Sequence, residues 1–119
     1  MNPSLSSSAV ETQAVKFIMP QLSVVVPIFN EAESLPQLIE AIAVILKEHR
    51  LNYEIVCVDD GSQDGSTEIL RQLAHTRTDL KAVILRRNYG QTPAMAAGFK
   101  HAEGQIIVTL DGDLQNDPA

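Results

Sequence analysis

The chain is expected to fold as a doubly wound α/β domain built on a mainly parallel sheet. Three observations predict this. Short apolar runs rich in β-branched residues alternate with stretches whose apolar residues recur every three or four positions, the periods of strand and helix. Alternation at these lengths implies right-handed crossovers and parallel pairing. The unusual polar residues also gather just after the apolar runs, and in open parallel sheets ligands sit outside those carboxyl ends.

The elements follow in order. Leu22 to Val26 reads as a buried strand ended by Pro27. From about Glu33 to Glu48, Leu35, Leu38, Ile39, Ile42, Ile45 and Leu46 fall on one helical face. Glu54 to Val58 is the second strand, broken by Asp59-Asp60-Gly61-Ser62. A second helix runs from about Ser66 to Thr76, with Ile69, Leu70 and Leu73 inward and Asp64 or Ser66 as its cap. Lys81 to Leu85 is the third strand. The third helix, about Thr92 to Ala102, accepts Pro93 in its first turn and ends at Gly104. Gln105 to Leu110 reads as a fourth buried strand.

The chain has 119 residues, enough for one domain or less. Residues 1–20 are Ser-rich and irregular, without the basic start and apolar centre of a signal peptide, and are expected to form a disordered leader before a domain over 21–119. With 45% hydrophobic residues the chain can bury a core, and a net charge of −6 argues against a nucleic-acid partner. No apolar run approaches the ~18–20 residues of a membrane span, and a cytoplasmic setting is the expectation. The single cysteine, Cys57, lies in an apolar run and reads as a core residue in a reducing compartment. His49, His75 and His101 have no mutual metal spacing and read as exposed helix positions.

Four loops contribute polar groups to one rim. They are Pro27, Phe29, Asn30 and Glu31; then Asp59, Asp60, Gly61 and Ser62; then Arg86, Arg87 and Asn88; and last Asp111, Asp113 and Gln115. Each has a plainer reading. Asp, Gly and Ser favour turns, arginines commonly end a solvated strand, and Phe29 would suit a core. Asp111, Asp113 and Gln115 alternate along extended chain, so three oxygens can face one hard cation. Mg²⁺ or Mn²⁺ held this way keeps open positions for substrate phosphates, which points to a nucleoside diphosphate. Arg86 and Arg87 suit a diphosphate through guanidinium donors. A calcium loop is not supported: Asp60-x-Ser62-x-Asp64-Gly65 has Arg71 where a bidentate Glu is needed, and the second acidic loop has Asn116 at the glycine position. Neither a P-loop nor a G-x-G-x-x-G sequence is present.

Taken together, S-V-V-V-P-I-F-N-E, V-C-V-D-D-G-S-Q-D-G-S and T-L-D-G-D-L-Q resemble, in order and spacing, the amino-terminal half of a family-two glycosyltransferase of GT-A fold. The stretches R-R-N-Y-G-Q-T-P-A-M-A-A-G-F and D-G-D-L-Q-N-D-P resemble the branch containing dolichyl-phosphate mannose synthases and bacterial polyprenyl-phosphate glycosyltransferases. The resemblance implies that Pro27, Phe29 and Glu31 line a nucleoside pocket, that Asp59 and Asp60 contact base and ribose, and that Asn88 and the neighbouring arginines face the donor. It places Asp111 and Gly112 at the ribose-diphosphate region. Asp113 becomes the catalytic residue, sharing Mg²⁺ or Mn²⁺ with Asp111 and Gln115.

The implied reaction is inverting transfer of a hexose from a UDP- or GDP-sugar to a polyprenyl phosphate, at the cytoplasmic face of a membrane. Family members continue beyond the point where this chain stops, so the 119 residues alone are expected not to turn over substrate. A bare strand edge is expected to favour self-association. The competing readings are a non-catalytic nucleotide- and metal-binding module and a phospho-acceptor signalling domain. The second lacks the expected Lys at the end of its last strand.

Overall fold

The computed structural model describes residues 20–110. Asp111, Gly112, Asp113, Gln115 and the leader lie outside them. The elements are β1 (Leu22–Ile28), α1 (Leu35–Glu48), β2 (Tyr53–Asp59), α2 (Ser66–Thr76), β3 (Leu80–Ile84), α3 (Gln91–His101) and β4 (Ile106–Thr109). The four strands lie in the order β3-β2-β1-β4 and every neighbouring pair is parallel. The chain steps outward from β1 to β3 and then returns to the other side of β1. That reversal opens a crevice beyond the carboxyl ends of β1 and β4.

Both faces of the central strands are covered, as a doubly wound sheet requires. Val24, Val26, Ile28, Ile55 and Cys57 pack under α1 and α2, against Leu35, Leu38, Ile39, Ile42, Leu46 and Leu70. On the opposite face Val25, Val56 and Val58 pack under α3, around Ala94. This is why β1 and β2 read as near-continuous apolar runs rather than alternating ones. Gly98 lets α3 approach closely: a Cβ there would stand 3.0 Å from Val58 Cγ2 and closer still to Val25. Cys57 is fully buried, and burial pushes its thiol up to about 12. The three histidines are exposed.

Four expectations are corrected. Pro27 does not end β1; it pairs with Val58, and the strand runs on to Ile28. Val25 carbonyl accepts from Leu110 on the β4 side and Ile28 carbonyl from Asp60 on the β2 side. By that alternation the missing N–H of Pro27 faces β4, where the ladder already stops at Val25↔Thr109. The strand at the chain's end is not buried: Ile106, Ile107 and Val108 are 63%, 41% and 41% exposed. Among the described residues it is one of the sheet's two edges, β3 being the other, and its side chains are largely exposed.

The first helix begins at Leu35 rather than Glu33, because Ser34 and Leu35 N–H groups both turn back to the Glu31 carbonyl and Pro36 needs no donor in the first turn. The cap of α2 is Gly65 in the left-handed region, not Asp64 or Ser66; the Asp64 carboxylate accepts from the Ser66 N–H and hydroxyl just inside the helix.

Candidate functional site

The rim begins with Asp59 and Asp60 at the end of β2. Asp59 is fully buried, and its carboxylate accepts from Ser62 N–H at 3.1 Å and from the Thr67 hydroxyl. It thereby closes the β2–α2 loop onto the first turn of α2. Asp60 is 4% exposed and reaches the other way. Its carboxylate accepts from Asn88 Nδ2 at 3.1 Å, Tyr89 N–H at 2.8 Å and Gly90 N–H at 3.0 Å. Gly61 makes this junction possible. At φ +75° a Cβ would stand 2.8 Å from Arg87 Cα and closer still to Arg87 C and Asn88 N. The β2 and β3 loops therefore touch backbone to backbone.

The β1–α1 loop is tied into the same unit. Asn30, at φ 53°, donates its N–H to Ser62 Oγ at 2.9 Å and accepts from Gln63 N–H at 2.9 Å. Glu31 N–H reaches Ser66 Oγ at 2.9 Å, and Ala32 N–H reaches Asp64 Oδ2 at 3.1 Å. Hydrogen bonding from the Ser66 hydroxyl is the largest influence holding the Asp64 carboxyl below its usual range. Three loops from three strands are thus cross-braced by side chain to backbone bonds, which fix the walls before any ligand arrives.

Those walls enclose a cavity of about 590 Å³. Phe29 contributes an aromatic face, 45% exposed, and the other walls include Gln63, Thr67, Arg71, Arg86, Arg87 and Asn88. Arg87 lies over the Tyr89 ring with 4.9 Å from its guanidinium carbon to the centroid. Three arginines line one cavity on a chain of net charge −6, and although Arg71 pairs with Glu68 at 3.2 Å, Arg86 and Arg87 leave the cavity suited to an anion that carries a flat apolar part.

The structure thus brings Phe29, Asn88 and the two loop arginines together. Pro27 is half-buried in β1, and Glu31 borders a second cavity with Asn30 and Asp64, where it accepts from Ser34 Oγ at 3.2 Å. Asp59 and Asp60 stand behind the cavity wall as braces. The residues sequence reasoning missed include Gln63 in the β2–α2 loop and Thr67 and Arg71, the last two one helical turn apart on α2. Their spacing of four next to a polar loop was the available signal. Among the described residues no group of three His, Cys, Asp or Glu is placed to hold a metal.

The sequence profile of glycosyl transferase family 2 covers residues 23–119. The chain belongs to that family. Curated family relatives include undecaprenyl-phosphate 4-deoxy-4-formamido-L-arabinose transferases from Aeromonas hydrophila, 47% identical over 98 residues, and from Photorhabdus laumondii, 50% identical over 99. Each match takes in 82% of this chain and 30% of the relative, so the chain spans about a third of their length.

Among solved structures, the mannosyltransferase PcManGT from Pyrobaculum calidifontis, in complex with GDP-Man and Mn²⁺, superposes with TM-score 0.67 at 30% identity, over 80% of this chain and 28% of that one. S. aureus TarS 1–349 in complex with UDP superposes with TM-score 0.64 at 28% identity, over 78% and 27%. The family-2 chain described here is therefore an amino-terminal sheet of the GT-A type.

Proposed function

We propose that this chain is the donor-binding part of an inverting, metal-dependent glycosyltransferase that moves a sugar from a UDP- or GDP-sugar to a polyprenyl phosphate. The observation that carries it is the cross-braced cavity at the carboxyl ends of β1, β2 and β3, in a chain whose relatives bear the name of undecaprenyl-phosphate sugar transferases. The expected hexose is widened here to a sugar of either size, because those relatives are named for an arabinose derivative.

In this reading Phe29 stacks against the base, and Arg86 and Arg87 direct guanidinium donors to the diphosphate. Asp60, 4% exposed, is assigned to base and ribose only at the edge its loop bonds leave open, while Asp59, fully buried, holds the loop from behind. Pro27 and Glu31 shape the near lip, and Asn88 faces the donor. Asp111, Gly112, Asp113 and Gln115 follow β4 directly and are assigned to the diphosphate. The three oxygen-bearing side chains there suit Mg²⁺ or Mn²⁺, and Asp113 is the residue closest to catalysis. A bound divalent cation would neutralise charge on the departing nucleoside diphosphate.

The acceptor monophosphate is already an anionic nucleophile, so no residue is assigned as general base. Work at the cytoplasmic face of a membrane belongs to the same proposal, a lipid acceptor supporting the membrane and a nucleotide-sugar donor the cytoplasmic side. Among the described residues no helix is long and apolar enough to cross a membrane.

The test is calorimetric titration of UDP and GDP, each with and without Mn²⁺, on wild type and Asp113→Ala. The expected result is Mn²⁺-enhanced binding of one nucleotide, with the enhancement lost in the variant. A folded wild-type chain that binds neither nucleotide would refute the reading.

A further inference from the structure

Outside the rim, the described residues hold one buried carboxylate that braces no loop there. Glu54 is 9% exposed and lies at the opposite, amino end of the sheet, on the face under α3. Its Oε2 accepts from Ser23 Oγ at 2.6 Å and from Glu103 N–H at 2.7 Å, and Ser23 Oγ accepts from Gly104 N–H at 2.8 Å. Lys81 Nζ closes the group, donating to Glu54 Oε1 at 3.1 Å and to the His101 carbonyl at 2.7 Å. Gly104 fits tightly, for a Cβ there would stand 2.6 Å from Ser23 Oγ and 2.7 Å from Ser23 N. The turn between α3 and β4 is thus pinned to β1 and β2 by two backbone N–H groups within three residues of Ile106, where β4 begins.

That pin answers a problem the edge strand creates. Register is strongly specified only where a strand buries one face, and β4 is exposed along its whole length. A slip of two residues against β1 would restore parallel ladder bonds and keep each side chain on its face. It would also carry everything after β4 along by roughly 6.6 Å. The backbone ladder does not oppose such a slip, but the pin does. A slip would pull the Glu103 and Gly104 amides off Ser23 and Glu54 and leave a buried carboxylate short of donors.

We propose that Ser23 and Glu54 are positioning residues that set the register of β4 against β1, and with it how far along the sheet Leu110 stands, the residue that precedes Asp111 in sequence. The functional half of this inference rests on the donor-site reading above.

The experiment uses the full chain as Ser23→Ala, Glu54→Ala and Glu54→Gln. Two readouts are taken: hydrogen exchange at the amides of residues 103–110, and nucleotide affinity with and without Mn²⁺. The pocket walls from β1, β2 and β3 do not depend on the pin. Metal-free affinity should therefore stay within about twofold of wild type, in the range of ordinary surface effects. In Ser23→Ala and Glu54→Ala, amide exchange at Ile106 and Leu110 should quicken at least tenfold while β2 is unchanged, and the Mn²⁺ enhancement should fall about tenfold. Glu54→Gln keeps an oxygen able to accept from both Ser23 and Glu103 but turns its amide N–H groups toward the Lys81 ammonium, so it should restore both in part, ahead of Glu54→Ala.

Full Mn²⁺ enhancement with unaltered exchange in folded Ser23→Ala would overturn the proposal. So would metal-free and Mn²⁺-dependent affinities that fall together, because that marks a general loss of structure. Should Glu54→Ala not fold, Ser23→Ala decides alone. A wild type that binds no nucleotide removes the donor reading, and the exchange data still decide whether the pin sets the register.

Discussion

Gly61 is the residue at which the candidate site should be most sensitive to a single methyl group. In Gly61→Ala the new Cβ would meet Arg87 backbone at 2.8 Å or less, where ordinary carbon contacts begin near 3.5 Å. The clash is with main chain, so the β2 and β3 loops must part by about 1 Å. The bonds that join them are those of the Asp60 carboxylate, at 2.8, 3.0 and 3.1 Å, and an opening of that size takes them out of hydrogen-bond range.

Losing one such charge-assisted bond costs about 1.5–3 kcal/mol. Holding alanine at φ +75° adds about 1–2 kcal/mol. The sum is about 2.5–5 kcal/mol, a fall of at least about 10 °C in Tm for a domain of this size. Gly65→Ala is the internal control. Gly65 has φ +98° but open space around a Cβ, so it should lose only the backbone part, about 1–2 kcal/mol. Any gain from stiffening the unfolded chain is the same in both variants and cancels. Guanidinium unfolding of the pair is the assay. Two variants within about 1 kcal/mol of each other would refute the claim that the loops meet through Gly61.

Two further outcomes are expected. At Glu54 burial raises the carboxyl pKa, but donors from Ser23, Glu103 N–H and Lys81 outweigh it and hold it below its ordinary value; at Asp79 burial is likewise outweighed, by Arg77 and Tyr53. A folded pKa below the unfolded one, about 4, gives stability that is present above pH ~4 and lost as pH falls through the folded value. Urea midpoints should therefore drop between pH 6 and 3, and less so in Glu54→Gln; an unchanged pH dependence in that variant would contradict the assignment. The open β4 edge should drive self-association, so Ile107→Lys, placing a charge on a strand 41% exposed at that residue, should lower apparent mass at high concentration in sedimentation. Identical sedimentation of wild type and variant would exclude β4 as the contact.

Much of the frame was legible in the chain. Continuous Val and Ile runs can be satisfied only under cover on both faces, and three intervening helical stripes supply that cover, which is why the doubly wound sheet and all seven elements follow from pattern. Element ends were less so. Pro27 reads as a stop unless it is known which neighbour its missing donor would have faced, and β4 reads as buried because hydrophobicity alone does not reveal an edge.

The polar rim was readable as a set of residues but not as a division of labour. The sequence places Asp59 and Asp60 together with Phe29 and Arg86 after successive strands. Only the tertiary structure turns the two carboxylates inward as braces and leaves Phe29 and the loop arginines lining the cavity, with Arg71 joining from α2. The Ser23–Glu54–Gly104 pin lay wholly outside sequence reasoning. Its members are separated by 31 and 81 positions, and local periodicity carries no information about partners that meet only when the sheet closes.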